Sequence, residues 1–120
     1  MIQIPKWQDL KPDERGGFYI NYFNGLLSHD DIRLRTLINE HLSDIPQIVN
    51  SCIEFSDLCR RIGEIGWTIN DRTITIPAEG WETIAKSMAT YYGEITGKQE
   101  FLENVNSRIK SPGNRLGTIF

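Results

Sequence analysis

A chain of 120 residues with 24% charged side chains and a net charge of −3 is sized for one soluble domain. Such a chain buries roughly two-thirds of its unfolded surface. No apolar run approaches the roughly 20 residues of a membrane span and the N-terminus lacks a signal peptide's apolar core, so the expectation is a cytoplasmic protein without membrane contact.

Residues 1–17, with Ile4-Pro5, Lys11-Pro12 and Gly16-Gly17, read as an irregular arm that Trp7 and Leu10 pin to the body. Residues 18–111 then form a single globular domain, and 112–120 a C-terminal tail. In FYINYFNGLL, Tyr19, Tyr22, Phe23 and Leu26 fit a helical stripe, while Phe18, Ile20 and Tyr22 equally fit a strand. Core packing is the favoured role for these aromatics over a binding surface.

Ser28 is the expected N-cap of the next helix, with Asp31 three residues on in a variant of the capping box. Ile32, Leu34, Leu37, Ile38 and Leu42 are assigned to its apolar side. Ser43 or Asp44 caps the helix after it, with Pro46 in the first turn. Ile45, Ile48, Cys52, Phe55, Cys59 and Ile62 step by three and four, which predicts one long amphipathic helix from about Ile45 to Ile65. Cys52 and Cys59 are two turns apart on it, roughly 10 Å along the axis. That is too far for a disulfide, and both are read as buried, reduced thiols.

From Ile65 to Met88 the pattern changes period. Trp67, Ile69, Thr73, Ile74, Thr75 and Ile76 are strand-forming types, and Asn70-Asp71 between them tolerates the positive φ of a tight turn. The register sets Ile65 opposite Ile76, Trp67 opposite Ile74 and Ile69 opposite Arg72 on one face. Gly66, Thr68, Thr73 and Thr75 fall on the other. Pro77 stops the second strand and suits the first turn of a helix whose positive end meets Glu79 and Glu82. Trp81, Ile84, Met88 and Tyr91 continue that helix as a stripe, and Trp67, Ile74 and Trp81 are expected in one core cluster. Gly93 and Gly97 weaken the chain, and a last helix through Phe101, Leu102, Val105 and Ile109 reaches a turn at Ser111-Pro112-Gly113-Asn114. The expected fold is mainly α with one β-hairpin, an α+β arrangement.

Catalytic and metal-binding patterns are sparse. His29 and His41 lack zinc-ligand spacing. Ser28-His29-Asp30 holds the residue types of a triad, but adjacent side chains cannot assemble a relay. Asp30-Asp31 reads as a solvated helix-start pair rather than a metal site. Gly63-Glu64-Ile65-Gly66 lacks the Lys-Ser/Thr ending of a phosphate loop. The expectation is a protein that is no enzyme and holds no cofactor or metal.

Leu58-Cys59-Arg60-Arg61-Ile62, then Gly66-Trp67-Thr68-Ile69 and Ile74-Thr75-Ile76-Pro77-Ala78-Glu79-Gly80-Trp81, resembles the third helix, wing and following helix of winged-helix DNA-binding domains. The resemblance covers residues 56–91 and makes the second half winged-helix-like. It implies a transcriptional regulator with Arg60 and Arg61 on a recognition helix and Arg72 at the wing tip.

Charge points elsewhere. Residues 1–60 hold 6 basic and 9 acidic side chains, against 7 of each in residues 61–120. Duplex affinity comes largely from neutralised phosphates, yet Arg60 and Arg61 are accompanied by Asp57 and Glu64. The apolar stripe also runs unbroken through Glu54-Phe55-Ser56, where a helix-turn-helix needs its turn. The leading expectation is therefore a small acidic protein that binds and inhibits another protein, as immunity proteins, antitoxins and anti-defence factors do. Asp30, Asp31, Glu40 and Asp44 are its candidate contact residues, and its partner a basic protein such as a nuclease or nucleic-acid-handling complex. A winged-helix regulator with DNA as its partner is the alternative.

Overall fold

The computed structural model describes Trp7, residues 15–69 and residues 71–119, apart from the side chains of residues 67, 69 and 110–119. Most of the expected arm, Leu10, Asn70 and the side chains of Trp67 and Ile69 therefore lie outside the described residues. In chain order the elements are α1 (Gly17–Leu27), α2 (Asp31–Glu40), α3 (Ile45–Ile62), β1 (Ile65–Ile69), β2 (Arg72–Ile76), α4 (Ala78–Thr96) and α5 (Gln99–Ile119). A 3-10 turn, Leu42–Asp44, joins α2 to α3. The fold is mainly α with one antiparallel hairpin. Among the described residues no helix is long and apolar enough to cross a membrane.

The aromatic stretch after Gly17 is helical. Phe18, Tyr19 and Tyr22 turn inward, because Tyr22 lies three and four positions from the other two and so shares their helix face, whereas a strand would send Tyr19 to the opposite side. Tyr19 packs edge-on against Phe55 of α3 and Trp81 of α4. The hydroxyls of Tyr22 and Ser87 meet at 2.9 Å. Trp7 is buried edge-on against Phe18 and Tyr19, with the Arg15 guanidinium 4.0 Å above its ring.

The start of α2 differs from expectation. Ser28 closes α1, donating its hydroxyl to the Asn24 carbonyl at 2.9 Å, and Asp30 is the N-cap, accepting the Arg33 N–H at 3.0 Å. With so short a connection, Ser28 is used up in ending one helix before the next begins. His29 makes the reversal with φ 56°, a left-handed conformation uncommon outside glycine. Ile32 is a second correction. It is 80% exposed, not part of the apolar side. Leu34 and Ile38 set the inward face, and Ile32, two residues from Leu34, points roughly 200° away from it.

α3 is continuous, with Ile45, Ile48, Cys52, Phe55 and Cys59 all buried along one stripe. It stops at Ile62, where Gly63 at φ 98° redirects the chain into β1. Ile62 is consequently 49% exposed. The hairpin has the predicted register, Ile65 to Ile76, Trp67 to Ile74 and Ile69 to Arg72. Its burial is graded: Ile65 and Ile76 at the base are buried, but Ile74 only half so. Ile74 is thus outside the core cluster that holds Trp81, against expectation, and among the described residues the hairpin's buried side chains are those of Ile65 and Ile76 at its base.

Pro77 immediately precedes α4, and its carbonyl accepts the Trp81 N–H at 3.1 Å. Gly80 lets this first turn approach β2, since a Cβ there would lie 2.7 Å from Ile76 Cγ2. Trp81, Ile84, Ala85, Met88 and Ala89 are buried, and α3 with α4 forms the largest helix–helix interface. Gly93 stays inside α4, and Gly97 at φ 77° ends it in the left-handed cap that glycine favours. α5 packs on α4 and continues through the turn expected at 111–114.

Burial pushes the pKa values of the Tyr19 and Tyr22 hydroxyls and the Cys52 thiol above their ordinary values. Such groups favour the neutral form in the folded state, so their contribution is complete below the unfolded-state values and lost as pH rises through the folded ones. Unfolding free energy is expected to fall from about pH 9, where the cysteine of the unfolded chain ionises, and further above about pH 10, where its tyrosines do, by on the order of 1.4 kcal/mol per pH unit for each group titrating. Urea titrations at pH 8 and pH 11 test this, and Tyr22→Phe should make the decline shallower.

Candidate functional site

The four candidate carboxylates all belong to α2 and its flanks, but they form two pairs. Asp30 and Asp31 stand at its start, and Glu40 and Asp44 at its end, across a helix of roughly 15 Å. Asp30 is engaged as the helix cap. Asp31 accepts a hydrogen bond from the Tyr91 hydroxyl of α4, which raises the tyrosine's pKa above the usual value. Glu40 is exposed. Asp44 is half-buried and lines a cleft of about 500 Å³ together with Trp7, Arg15, Phe18, Asn21 and His41. The His41 ring packs edge-on on Phe18 at 4.8 Å, so its imidazole forms part of the cleft wall.

Asp31 belongs to a brace between α2 and α4. Arg35 lies 4.8 Å over the Tyr91 ring and pairs with Glu94 at 2.5 Å. Sequence spacing carries no signal for this brace, because its halves are about 60 residues apart and tyrosine and arginine fit equally well as ordinary surface residues. The same corner carries two exposed aliphatic side chains, Leu27 at 66% and Ile32 at 80%. They flank the His29 reversal. Along α2, Thr36 and Asn39 extend the exposed row that begins at Ile32.

The three arginines of the winged-helix resemblance are differently placed. Arg60 donates to Glu82 at 2.6 Å, and this pairing, ahead of other influences, raises its pKa. Arg61 and Arg72 are exposed. Arg72 begins β2 beside Asp71, whose φ of 64° makes part of the hairpin turn. α3, which would supply the recognition helix, runs through Glu54–Ser56 without a turn.

No family model, curated protein or solved structure matches this chain. Among the described residues, no three His, Cys, Asp or Glu side chains gather where they could hold one metal ion.

Proposed function

We propose that this is a small acidic, non-enzymatic protein of the cytoplasm that binds and inhibits another protein, in the manner of an immunity protein, antitoxin or anti-defence factor. Its partner is basic, such as a nuclease or a nucleic-acid-handling complex. The observation that carries this reading is the charge balance of one edge. From residue 28 to 44 the chain holds Asp30, Asp31, Glu40 and Asp44 against Arg33 and Arg35, and Arg35 is held by Glu94. An acidic edge on a braced helix accelerates encounter with a positively charged surface and fixes its orientation.

The DNA-binding alternative gains less support. Arg60 is bound to an acid, and the uninterrupted α3 does not present a short recognition helix after a turn. An electrophoretic shift assay on random duplex DNA at about 50 mM salt, where phosphate contacts are strong, is expected to show no shift. A competable shift abolished by Arg60→Ala, Arg61→Ala and Arg72→Ala together would overturn the proposal. Capture from a lysate of the source cells, followed by mass spectrometry, is expected to return a protein of high isoelectric point.

A further inference from the structure

We propose that the cleft between the start of α1 and the α2–α3 junction binds a small zwitterion with an apolar body, of amino-acid or dipeptide size. The proposal goes beyond the protein-binding reading and shares only Asp44 with it. The cleft has a volume of about 500 Å³, within the range of small-molecule sites. Trp7, Phe18 and Leu37 give it apolar walls. Trp7 and Phe18 are buried, edge-on to each other and to His41, so this side of the cleft is rigid.

Arg15 and Asp44 are the two formal charges among the lining residues, and they have opposite sign. The Arg15 guanidinium lies 4.0 Å from the centre of the Trp7 ring. That contact holds the side chain without consuming its N–H donors, of which a guanidinium has five. Asp44 is half-buried at the start of α3, and its side chain makes no capping bond. A carboxylate partly withdrawn from water costs free energy until it is paired. The ion pairs of the described residues are Arg35–Glu94 and Arg60–Glu82, so neither cleft charge has a partner. Arg15 and Asp44 do not pair with each other, which leaves room between them for a ligand's own charges.

A ligand with one charge satisfies half of this arrangement. A cation pairs with Asp44 but is repelled by Arg15, and an anion meets the reverse. A zwitterion satisfies both, its carboxylate accepting from Arg15 and its ammonium donating to Asp44. Asn21 and His41 also line the cleft, and each can bond a carboxylate or a peptide group. An apolar side chain of the ligand then rests against Phe18 and Leu37 and leaves water.

The test uses the full chain with leucine and leucyl-leucine, each beside its N-acetyl and C-amide derivatives. Acetylation removes the ammonium and amidation the carboxylate, while the apolar body is kept. Amide shifts of the labelled protein locate binding, and titrations give the affinities. At least one zwitterion is expected to bind with a Kd of about 1 mM or below. The shifts should fall within residues 15–21 and 37–44. Each derivative should bind at least about tenfold more weakly, the scale of one charge-assisted hydrogen bond. Asp44→Asn, which removes a charge but no capping bond, should abolish the preference for the zwitterion over the acetyl derivative. Arg15→Gln should abolish the preference over the amide. Equal binding of zwitterion and derivatives would overturn the proposal, as would shifts centred elsewhere. So would an Asp44→Asn variant that keeps the preference, or no binding of either zwitterion at about 10 mM. These outcomes leave the acidic-edge reading standing, since its own test is the rate of association with the captured partner.

Discussion

Replacing Trp81 by alanine is expected to lower the unfolding free energy by about 3–5 kcal/mol, the range for truncating a fully buried aromatic residue. The indole is wholly inaccessible to solvent. Its ring lies 5.0 Å from that of Tyr19 in α1 and 4.6 Å from that of Phe55 in α3. Truncation therefore opens a cavity where three helices meet, and relaxation of one wall pulls away from the other two. The same residue stands in the first turn of α4, next to the close approach of Gly80 to Ile76, so the loss reaches the base of the hairpin as well. Urea denaturation of Trp81→Ala beside the wild type measures the effect. A change below about 1 kcal/mol, typical of surface substitutions, would show that the side chain is not the centre of the core.

Much of this core was legible because its residues repeat at the period of the element that carries them. The step of three and four from Ile45 to Cys59 survives as the buried face of α3. The alternation around Asn70-Asp71 yields the observed register residue for residue, since a shift of one position would turn every isoleucine outward. The differences arise where one local signal admits two geometries. Ser28 and Asp30 are both good cap residues, and the length of the turn, not their chemistry, decides between them. Ile62 continues the stripe in sequence but lies where Gly63 ends the helix. Ile32 was legible against its assignment, since residues two apart on a helix cannot share a face. At the candidate site, the carboxylates could be named from sequence. Their division into two pairs follows from the same spacing, since Asp30 and Asp31 precede Glu40 and Asp44 by about ten residues of helix. The tie of Asp31 to Tyr91 could not be read, because it depends on how α2 lies against α4, a tertiary contact that no local spacing encodes.

Removing negative charge from the α2 edge is expected to slow association with the captured partner by about tenfold or more at low salt, because rim charges act mainly on the on-rate. The structure dictates which substitutions isolate this effect. Asp30→Lys would also remove the cap on Arg33, a loss of about 1 kcal/mol of helix stability. Asp30→Asn keeps a capping oxygen, and Asp31→Asn keeps an acceptor for the Tyr91 hydroxyl. Glu40, exposed at the end of α2, tolerates reversal to lysine. The triple variant Asp30→Asn, Asp31→Asn and Glu40→Lys therefore shifts the charge by four units (one, one and two) with the fold retained. Its association rate should approach that of the wild type as salt is raised, since screening at 0.1 M already acts over about 10 Å. Its dissociation rate should change little. The Arg60→Ala, Arg61→Ala, Arg72→Ala variant should associate normally, with the exposed Arg60–Glu82 pair costing at most about 1 kcal/mol of stability. Stopped-flow measurements at two salt concentrations separate the cases. An on-rate unchanged by the acidic triple variant, or equal losses in both triples, would remove the α2 edge as the contact surface.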